Sequence, residues 1–320
     1  MSASHPLKPS LERRVRALVR SLRPTLAGDV EPLHQCRVAT RRLRELLPLC
    51  GAELSGRVSA RARKRVRSLG RALGPVRELD VALGLIRELE QEGRAQPAAA
   101  IRLRQRVREE RERQRNRMLV RLKPAAIRKA EREVAEVLKA LGMRDATDAW
   151  ALVLATRMSD RADRLRDAVA DAGPMYVSER VHEVRIAAKK LRYAVELATE
   201  TGEVDGAAAV TSLKRVQDGL GRLHDLEILQ ELLRSIELPV GRDEPWAGEL
   251  EALDVDLSTE CRRLHGGFVA GQSALREVCK VARRLASRMW TDHGGRSRGG
   301  RVLKMSLDGA RAVGRTGTRR

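Results

Sequence analysis

Aromatic residues are scarce in this chain, with three tryptophans, two tyrosines and one phenylalanine among 320 residues. Proteins that bind single-stranded nucleic acid usually stack its bases on aromatic rings. The scarcity therefore argues against recognition of a single strand through its bases. A polymer of phosphate groups without bases would need no such rings.

Membrane-spanning and secretory segments are also missing from the sequence. No apolar run approaches the roughly 18 residues that indicate a transmembrane helix, and the N-terminus has no long apolar core of a signal peptide. We therefore expect a soluble, cytoplasmic protein without a membrane partner.

The sequence contains neither a cysteine framework nor a familiar catalytic motif. Cys36, Cys50, Cys261 and Cys279 show no CxxC spacing, so neither disulfide pairing nor a zinc site is indicated. We expect Cys36 to be a buried free thiol. There is no P-loop, HExxH or GxSxG motif, and we expect no catalytic residue, no metal ligand and no cofactor.

Positive charge, in contrast, is abundant. Lysine and arginine number 64 against 43 aspartates and glutamates, which gives a net charge of +21, and the isoelectric point is near 11.0. An anionic partner is the first expectation. Arginine is much commoner than lysine, and its guanidinium binds phosphate through two hydrogen bonds, although a GC-rich genome would also produce part of this bias.

One basic segment occurs twice in the chain. The sequence LHQCRVATRRLRELLPL, residues 33–49, returns without a gap as VHEVRIAAKKLRYAVEL, residues 181–197. At about 100° per residue, each copy is a helix with a cationic face opposite a mostly apolar face. A solvated face usually mixes both signs of charge, so one sign repeated in the same register favours a shared cationic surface. The two faces comprise His34, Arg37, Arg41 and Arg44, and His182, Arg185, Lys189 and Arg192.

A second landmark also repeats, because LGPVRELDV at residues 73–81 is matched by LGRLHDLEI at residues 220–228. No segment shows a convincing strand alternation, so we predict an all-α fold of two similar halves. Residues 291–320 are predicted to be a disordered basic tail. The predicted helix signals include Ser10 as an N-cap, Gly74-Pro75 as the start of a new helix, and Gly266-Gly267 and Gly271 as interruptions of the last helix.

With both landmarks in place, the chain resembles the CHAD family, the conserved histidine α-helical domain. The resemblance covers roughly residues 5–290. It implies two four-helix bundles related by pseudo-twofold symmetry, at about 5–142 and 148–290, with a basic central groove or channel. It also implies binding of inorganic polyphosphate, commonly with targeting to polyphosphate granules. The residues that carry it are His34-x-x-Arg37-Val38-x-x-Arg41-Arg42-Leu43-Arg44, the second copy His182-x-x-Arg185-Ile186-x-x-Lys189-Lys190-Leu191-Arg192-Tyr193, and the LG-x-x-R-x-x-D-V element of residues 73–81.

Three departures from the family pattern bear on function. Glu78 stands where the family more often has aspartate, and His224-Asp225 stand at the place of Arg77-Glu78, so the two halves differ there. No acidic triphosphate tunnel domain precedes the motif region. The catalytic potential of family members fused to such a domain is therefore not expected.

The expected polyphosphate-binding set adds further residues to the two cationic faces. A phosphate polymer carries about one negative charge per unit, so its binding needs many cations in a row and gains from counterion release. We expect His34 and His182 to donate to phosphate or to hold an acidic side chain, and Asp80 and Glu227 to orient arginines. The other expected binding residues are Arg42, Arg61, Lys64, Arg71, Arg77, Lys190, Tyr193, Lys214, Arg215 and His224.

Three other interpretations stay open. The net charge permits non-specific RNA or DNA binding, although no helix-turn-helix recognition face is evident. His182 and His224-Asp225 suggest a metal phosphohydrolase of the HD type, but its acids would lie in a cationic environment that disfavours a divalent metal. The third interpretation is a scaffold that binds a polymer surface and also another protein. It is compatible with polyphosphate binding and differs from it in the additional partner alone. The oligomeric state and the chain-length preference are not predicted.

Overall fold

The computed structural model describes residues 5–54, 56–237 and 245–294. These residues form nine α-helices and no β-strand, which confirms the all-α prediction for this part of the chain. The predicted disordered tail begins at residue 291, but residues 291–294 belong to the last helix, so the prediction is wrong for them. Residues 295–320 lie outside the described part. None of the described helices is long and apolar enough to span a membrane. The helices are α1 (Leu7–Ala27), α2 (Val30–Glu53), α3 (Gly56–Gln91), α4 (Pro97–Arg121), α5 (Pro124–Gly142), α6 (Ala149–Ala172), α7 (Ser178–Glu200), α8 (Ala207–Arg234) and α9 (Pro245–Gly294).

Two predicted helix interruptions are wrong. α3 continues through Gly74-Pro75, and α9 continues through Gly266-Gly267 and Gly271. In a helix interior, proline costs about 3 kcal/mol and glycine about 1 kcal/mol relative to alanine. Tertiary burial of an apolar face contributes most of the stability of a helix in a protein, and both helices bury such faces on either side of the predicted breaks.

The predicted N-cap at Ser10 is also wrong, because α1 begins at Leu7. The backbone N–H of Leu7 donates to Nδ1 of His5 at 3.2 Å, so a histidine satisfies the first backbone donor of the helix. The Ser10 hydroxyl instead donates to Glu200, at the end of α7. The N-terminal helix is thereby joined to the second half of the chain.

The helices of the two halves pack on one another in a similar order. α1 packs on α2, α2 on α3, and α3 on both α4 and α5; α6 packs on α7, α7 on α8, and α9 on both α8 and α6. The halves meet where α2 contacts α6 and α7, where α3 contacts α8, and where α4 contacts α8 and α9. The two copies of the basic segment, on α2 and α7, therefore lie at the junction of the halves.

Two hydrophobic clusters hold these helices together. The larger cluster unites α1, α2, α5, α6 and α7 with parts of α3, α4, α8 and α9. The smaller cluster joins the end of α3 and the start of α4 to the end of α8 and the start of α9. Each cluster contains side chains from both halves of the chain. The pseudo-twofold symmetry and the boundary between residues 142 and 148 stay predictions.

His293 links the end of α9 to two other parts of the second half. Its Nδ1 lies at hydrogen-bonding distance from Asp148, before α6, and its Nε2 contacts Glu203 in the turn between α7 and α8. Burial lowers the pKa of the imidazole, but the two acceptors more than compensate, so the pKa is raised above 6.5. The charged imidazolium is the form that can donate to both carboxylates.

We expect His293→Phe to lower the free energy of unfolding by about 1–2 kcal/mol at pH 5.5, through the loss of charged hydrogen bonds. A raised pKa means that this contribution is fully present below the unfolded-state pKa near 6.5 and disappears as the pH rises through the folded-state pKa. Urea unfolding of both proteins at pH 5.5 and pH 9 measures the difference. An equal difference at both pH values would contradict the charged link.

Candidate functional site

The two copies of the basic segment meet at Tyr193 of α7. The guanidinium carbon of Arg41, on α2, lies 5.2 Å from the centroid of the Tyr193 ring. The guanidinium carbon of Arg192 lies 4.8 Å from the same ring. Tyr193 is 5% exposed, so cation–π contacts join one arginine from each copy at a largely desolvated ring.

The helical faces predicted to be apolar are buried in both copies. On α2, Thr40 and Leu43 are at most 1% exposed, and the thiol of Cys36 is buried and free. Burial raises the pKa of this thiol to about 11. On α7 the corresponding face carries Val184 and Leu191, both fully buried. The prediction of two amphipathic helices with opposite faces is thereby confirmed.

Several cations of both copies lie around Lys189. Burial, followed by the charges of Arg185, Arg41 and Arg37, lowers its pKa from 10.5 to about 7. Burial also lowers the pKa of Arg37, of Arg41 and of Arg185 from their ordinary values. The structure thus brings cations of both copies into one partly desolvated group. We call Arg37, Arg41, Arg185, Lys189 and Arg192 the cation cluster.

Arg37 is held in this cluster by α3. Its Nη1 donates to the backbone oxygen of Gly70 at 3.0 Å, and its Nη2 lies 3.6 Å from Oε1 of Glu78. The guanidinium also lies against Gly74, where a Cβ atom would stand 3.3 Å from its carbon. The glycine of the second landmark therefore provides the space in which Arg37 lies.

The remainder of the second landmark borders the same cluster. The charge of Arg77 lowers the pKa of His34 after the larger effect of burial. Arg77 also lies near Asp225 of α8, whose pKa is nevertheless raised because burial outweighs the neighbouring cations. The rings of His182 and His224 are 4.8 Å apart. Both landmarks, from both halves, therefore surround the cation cluster.

Few of these cations have a carboxylate partner. Elsewhere in the protein, Arg14 pairs with Glu200 and Arg222 pairs with Glu88. Within the cluster, Arg37 approaches Glu78, and Arg192 pairs with Glu196 on its own helix. Among the described residues, no ion pair is formed by Arg41, Arg42, Arg44, Arg77, Arg185, Lys189 or Lys190.

Three arginines of α6 extend this basic region and were not predicted. Burial and the charge of Arg161 lower the pKa of Arg157 to about 10. Nη1 of Arg161 donates to the backbone oxygen of Lys190 at 2.8 Å. Arg161 and Arg164 line a cavity of about 270 Å³ together with His182 and Lys190. The signal in the sequence is the spacing of residues 157, 161 and 164, which places three cations on one helical face.

Several predicted binding residues lie elsewhere. Arg61 and Lys64 line a separate cleft with Lys129 and Arg132 of α5. Residue 61 is nine positions before Gly70, about half a turn around α3 from the side that holds Arg37. The lining of the cleft that holds both residues includes no member of the cation cluster.

Three further predicted cations are also not brought to the cluster by any contact. Arg215 lines a cleft between α8 and α9, away from the basic segments. Arg71 and Lys214 are exposed, and no described contact joins them to the cluster.

The two acids predicted to orient arginines differ in their partners. Asp80 accepts a hydrogen bond from Nε of Arg111 at 2.6 Å, in agreement with the prediction. Glu227 accepts one from the hydroxyl of Tyr176 at 2.7 Å and lies 3.7 Å from His224, so the prediction is wrong for this residue. Within the described ranges, no group of three or more histidines, cysteines or acids is arranged to hold a metal ion.

Comparison with known families assigns the chain. The model of the CHAD domain matches residues 10–234, which include both basic segments and both copies of the second landmark. The protein therefore belongs to the CHAD domain family, and the predicted resemblance is confirmed. No curated protein matches the chain.

Solved structures show the same fold. The CHAD domain from the plant Ricinus communis is 22% identical, with a TM-score of 0.59, and the match covers 88% of this chain and 93% of that one. PptA from Streptomyces chartreusis is 20% identical, with a TM-score of 0.56, and the match covers 88% of this chain and 98% of that one. At these identities the likeness concerns the fold alone.

Proposed function

We propose that this protein binds inorganic polyphosphate, without catalysis, along the basic surfaces of α2 and α7. The observation that carries the proposal is the cation cluster, in which Arg41, Arg185 and Lys189 are partly buried, adjacent and without a direct carboxylate partner. Charges that are removed from water without a partner destabilise the fold. A polyanion would supply the missing partners.

The chemistry of the ligand fits the arrangement of the cations. Polyphosphate offers a run of anionic oxygens, to which guanidinium groups can donate in pairs. Each phosphate contact releases condensed counterions, which adds favourable entropy at low salt. Arg157 and Arg161 of α6 already pair with Glu45 of α2. The cluster, Arg77, Lys190 and Arg164 would together provide a path for the polymer. We take this path to be the predicted basic groove between two pseudo-symmetric bundles.

Catalysis is not part of the proposal. The acids beside the cluster are Glu78, Asp225 and Glu196. They lie beside Arg37, Arg185 and Arg192, and this position suits the balancing of charge better than metal binding. Such binding without turnover would direct the protein to polyphosphate granules in a cell.

Non-specific nucleic-acid binding is the second candidate. Tyr193 lies within the cluster, but it is 5% exposed and two guanidinium groups lie over its ring. That ring is therefore not available for stacking on a base. This feature favours a phosphate polymer over a single strand.

A competition titration tests the proposal. Labelled long-chain polyphosphate is bound to the protein and displaced by unlabelled polyphosphate or by single-stranded RNA, at several salt concentrations. We expect polyphosphate to compete far better than RNA at physiological salt, with a steep salt dependence for both. Equal competition by RNA, per phosphate, would overturn the assignment of the ligand.

Gly74→Ala should weaken polyphosphate binding about fivefold. The new methyl group would displace the guanidinium of Arg37, and one cation contributes about 1 kcal/mol to the free energy of binding to an anionic surface. The matched control is Gly84→Ala in the same helix, where a Cβ atom would meet nothing within 4 Å. The control should bind as the wild type does. Similar losses in both variants would show that helix α3, rather than Arg37, is affected.

A further inference from the structure

A cleft between α8 and α9 lies apart from the cation cluster. It encloses about 250 Å³ and its walls are mainly apolar, with Val216 from α8 and with Phe268 and Leu275 from α9. Arg215 and Arg263 bring two positive charges to it. An apolar cavity with a few charged groups is the usual form of a small-molecule site.

Three glycines within the helices also line this cleft. Gly219 belongs to α8, and Gly267 and Gly271 belong to α9. A Cβ atom on any of the three would meet no atom within 4 Å, so close packing does not require glycine there. Glycine in a helix interior is unfavourable relative to alanine. Three such residues around one cavity indicate that the open space itself has a use.

Helix α5 has larger side chains at the positions that correspond to the glycines of α9. α5 packs on α3 as α9 packs on α8. Ala130 and Val134 of α5 have the four-residue separation of Gly267 and Gly271, and each pair follows an apolar residue three positions earlier. Ala130 and Val134 are at most 1% exposed. The side chains that close the interface at α5 are thus missing from α9.

We propose that the cleft between α8 and α9 binds a nucleoside phosphate. The flat base would lie in the glycine-lined slot, near the ring of Phe268, and the phosphate groups would lie at Arg215 and Arg263. Arg215 is exposed and forms no ion pair with any described residue, whereas Arg263 pairs with Glu260. A guanidinium group binds phosphate through two parallel hydrogen bonds, so an unpaired arginine beside an apolar slot suits a ligand with a flat apolar part and an anionic part.

The size of the cleft favours this ligand over a lipid. Its volume of about 250 Å³ lies just below the usual range of ligand sites, which begins at about 300 Å³. One ring system fits such a space better than a long acyl chain. The site goes beyond polyphosphate binding and does not depend on it.

The test fills the cleft with the side chains of α5, in the variant Gly267→Ala/Gly271→Val. Calorimetric titrations use ATP, adenosine and inorganic triphosphate, and every protein carries Arg41→Glu/Lys189→Glu so that the cation cluster does not dominate phosphate binding. Before the cleft is filled, we expect ATP to bind more tightly than adenosine, and triphosphate more weakly than ATP. Filling the cleft should lower the ATP affinity at least tenfold while the melting temperature rises.

The control is Gly248→Ala, an exposed position of α9 where a Cβ atom also meets nothing within 4 Å. It should stabilise the helix and leave ATP binding unchanged. Unaltered ATP affinity in the filled variant, or triphosphate binding as tight as that of ATP, would overturn the proposal. Displacement of ATP by decanoate but not by adenosine would also overturn it, because the slot would then hold an acyl chain.

Discussion

Reversal of charge at Arg41 and Lys189 together should lower the affinity for long-chain polyphosphate about a hundredfold or more at physiological salt, since each change removes a cation and adds a repulsive charge. The slope of log affinity against log salt should become shallower by about 1.4, because each phosphate contact contributes about 0.7 for a single chain. Fluorescence titration of Arg41→Glu/Lys189→Glu across a salt series measures both quantities.

Loss of binding in this variant should not reflect loss of folding. A carboxylate at position 189 would lie near Arg37 and Arg185, whose charges help to lower the pKa of the native lysine. The carboxylate would attract these two arginines, whereas the native ammonium group repels them. The variant also loses the contact between Arg41 and the Tyr193 ring. We expect the gain at position 189 to offset this loss, so that the melting temperature stays close to that of the wild type, which is typical of a site whose charges serve binding at some expense of stability.

Lys129→Glu/Arg132→Glu provides the matched control, because it also reverses one lysine and one arginine. Both variants lower the net charge by the same four units, from +21 to about +17. Lys129 and Arg132 are exposed and line the cleft between α3 and α5, not the cation cluster. The control should lose little affinity. Equal losses would mean that net charge, rather than the cluster, attracts the polymer.

The faces of the two motif helices could be predicted because they depend on local periodicity. A charge of one sign on one side, with Leu43 or Leu191 opposite, needs no knowledge of the remaining fold. The repeat predicted that the two basic segments share one surface. It did not predict that Arg41 and Arg192 lie over the ring of Tyr193, because that contact depends on how α2 and α7 pack.

The positions of the other cations depend on which neighbour each helix face meets, and the local pattern does not contain that information. Arg61 and Lys64 share a basic face of α3, but this face lines a cleft with α5 rather than the cation cluster. The arginines of α6 lie outside both repeated motifs and reach the site because α6 packs on α7 and α2. Long-range packing also carries α3 through Pro75, where local propensity predicted a break.

Lys189 should make polyphosphate binding depend on pH above neutrality. In the free protein, burial and the neighbouring arginines lower its pKa to about 7, while Glu78 acts in the opposite direction. A bound polyanion would favour the ammonium form and raise this pKa, so that binding takes up a proton. Affinity should therefore be highest below pH 7 and fall by up to about tenfold per pH unit, until the pH reaches the pKa of the complex.

Lys189→Arg isolates this effect, because a guanidinium keeps its charge throughout the range. The wild type should lose affinity between pH 7 and pH 9, whereas the variant should retain it. His34 and His182 have lowered pKa values and would contribute below pH 6.5, outside this window. A pH profile for Lys189→Arg that coincides with that of the wild type would show that the ammonium group does not contact the polymer. A flat profile for the variant would show that titration of the Lys189 ammonium produces the pH dependence of the wild type, because the bound polyanion stabilises the charged form of the lysine.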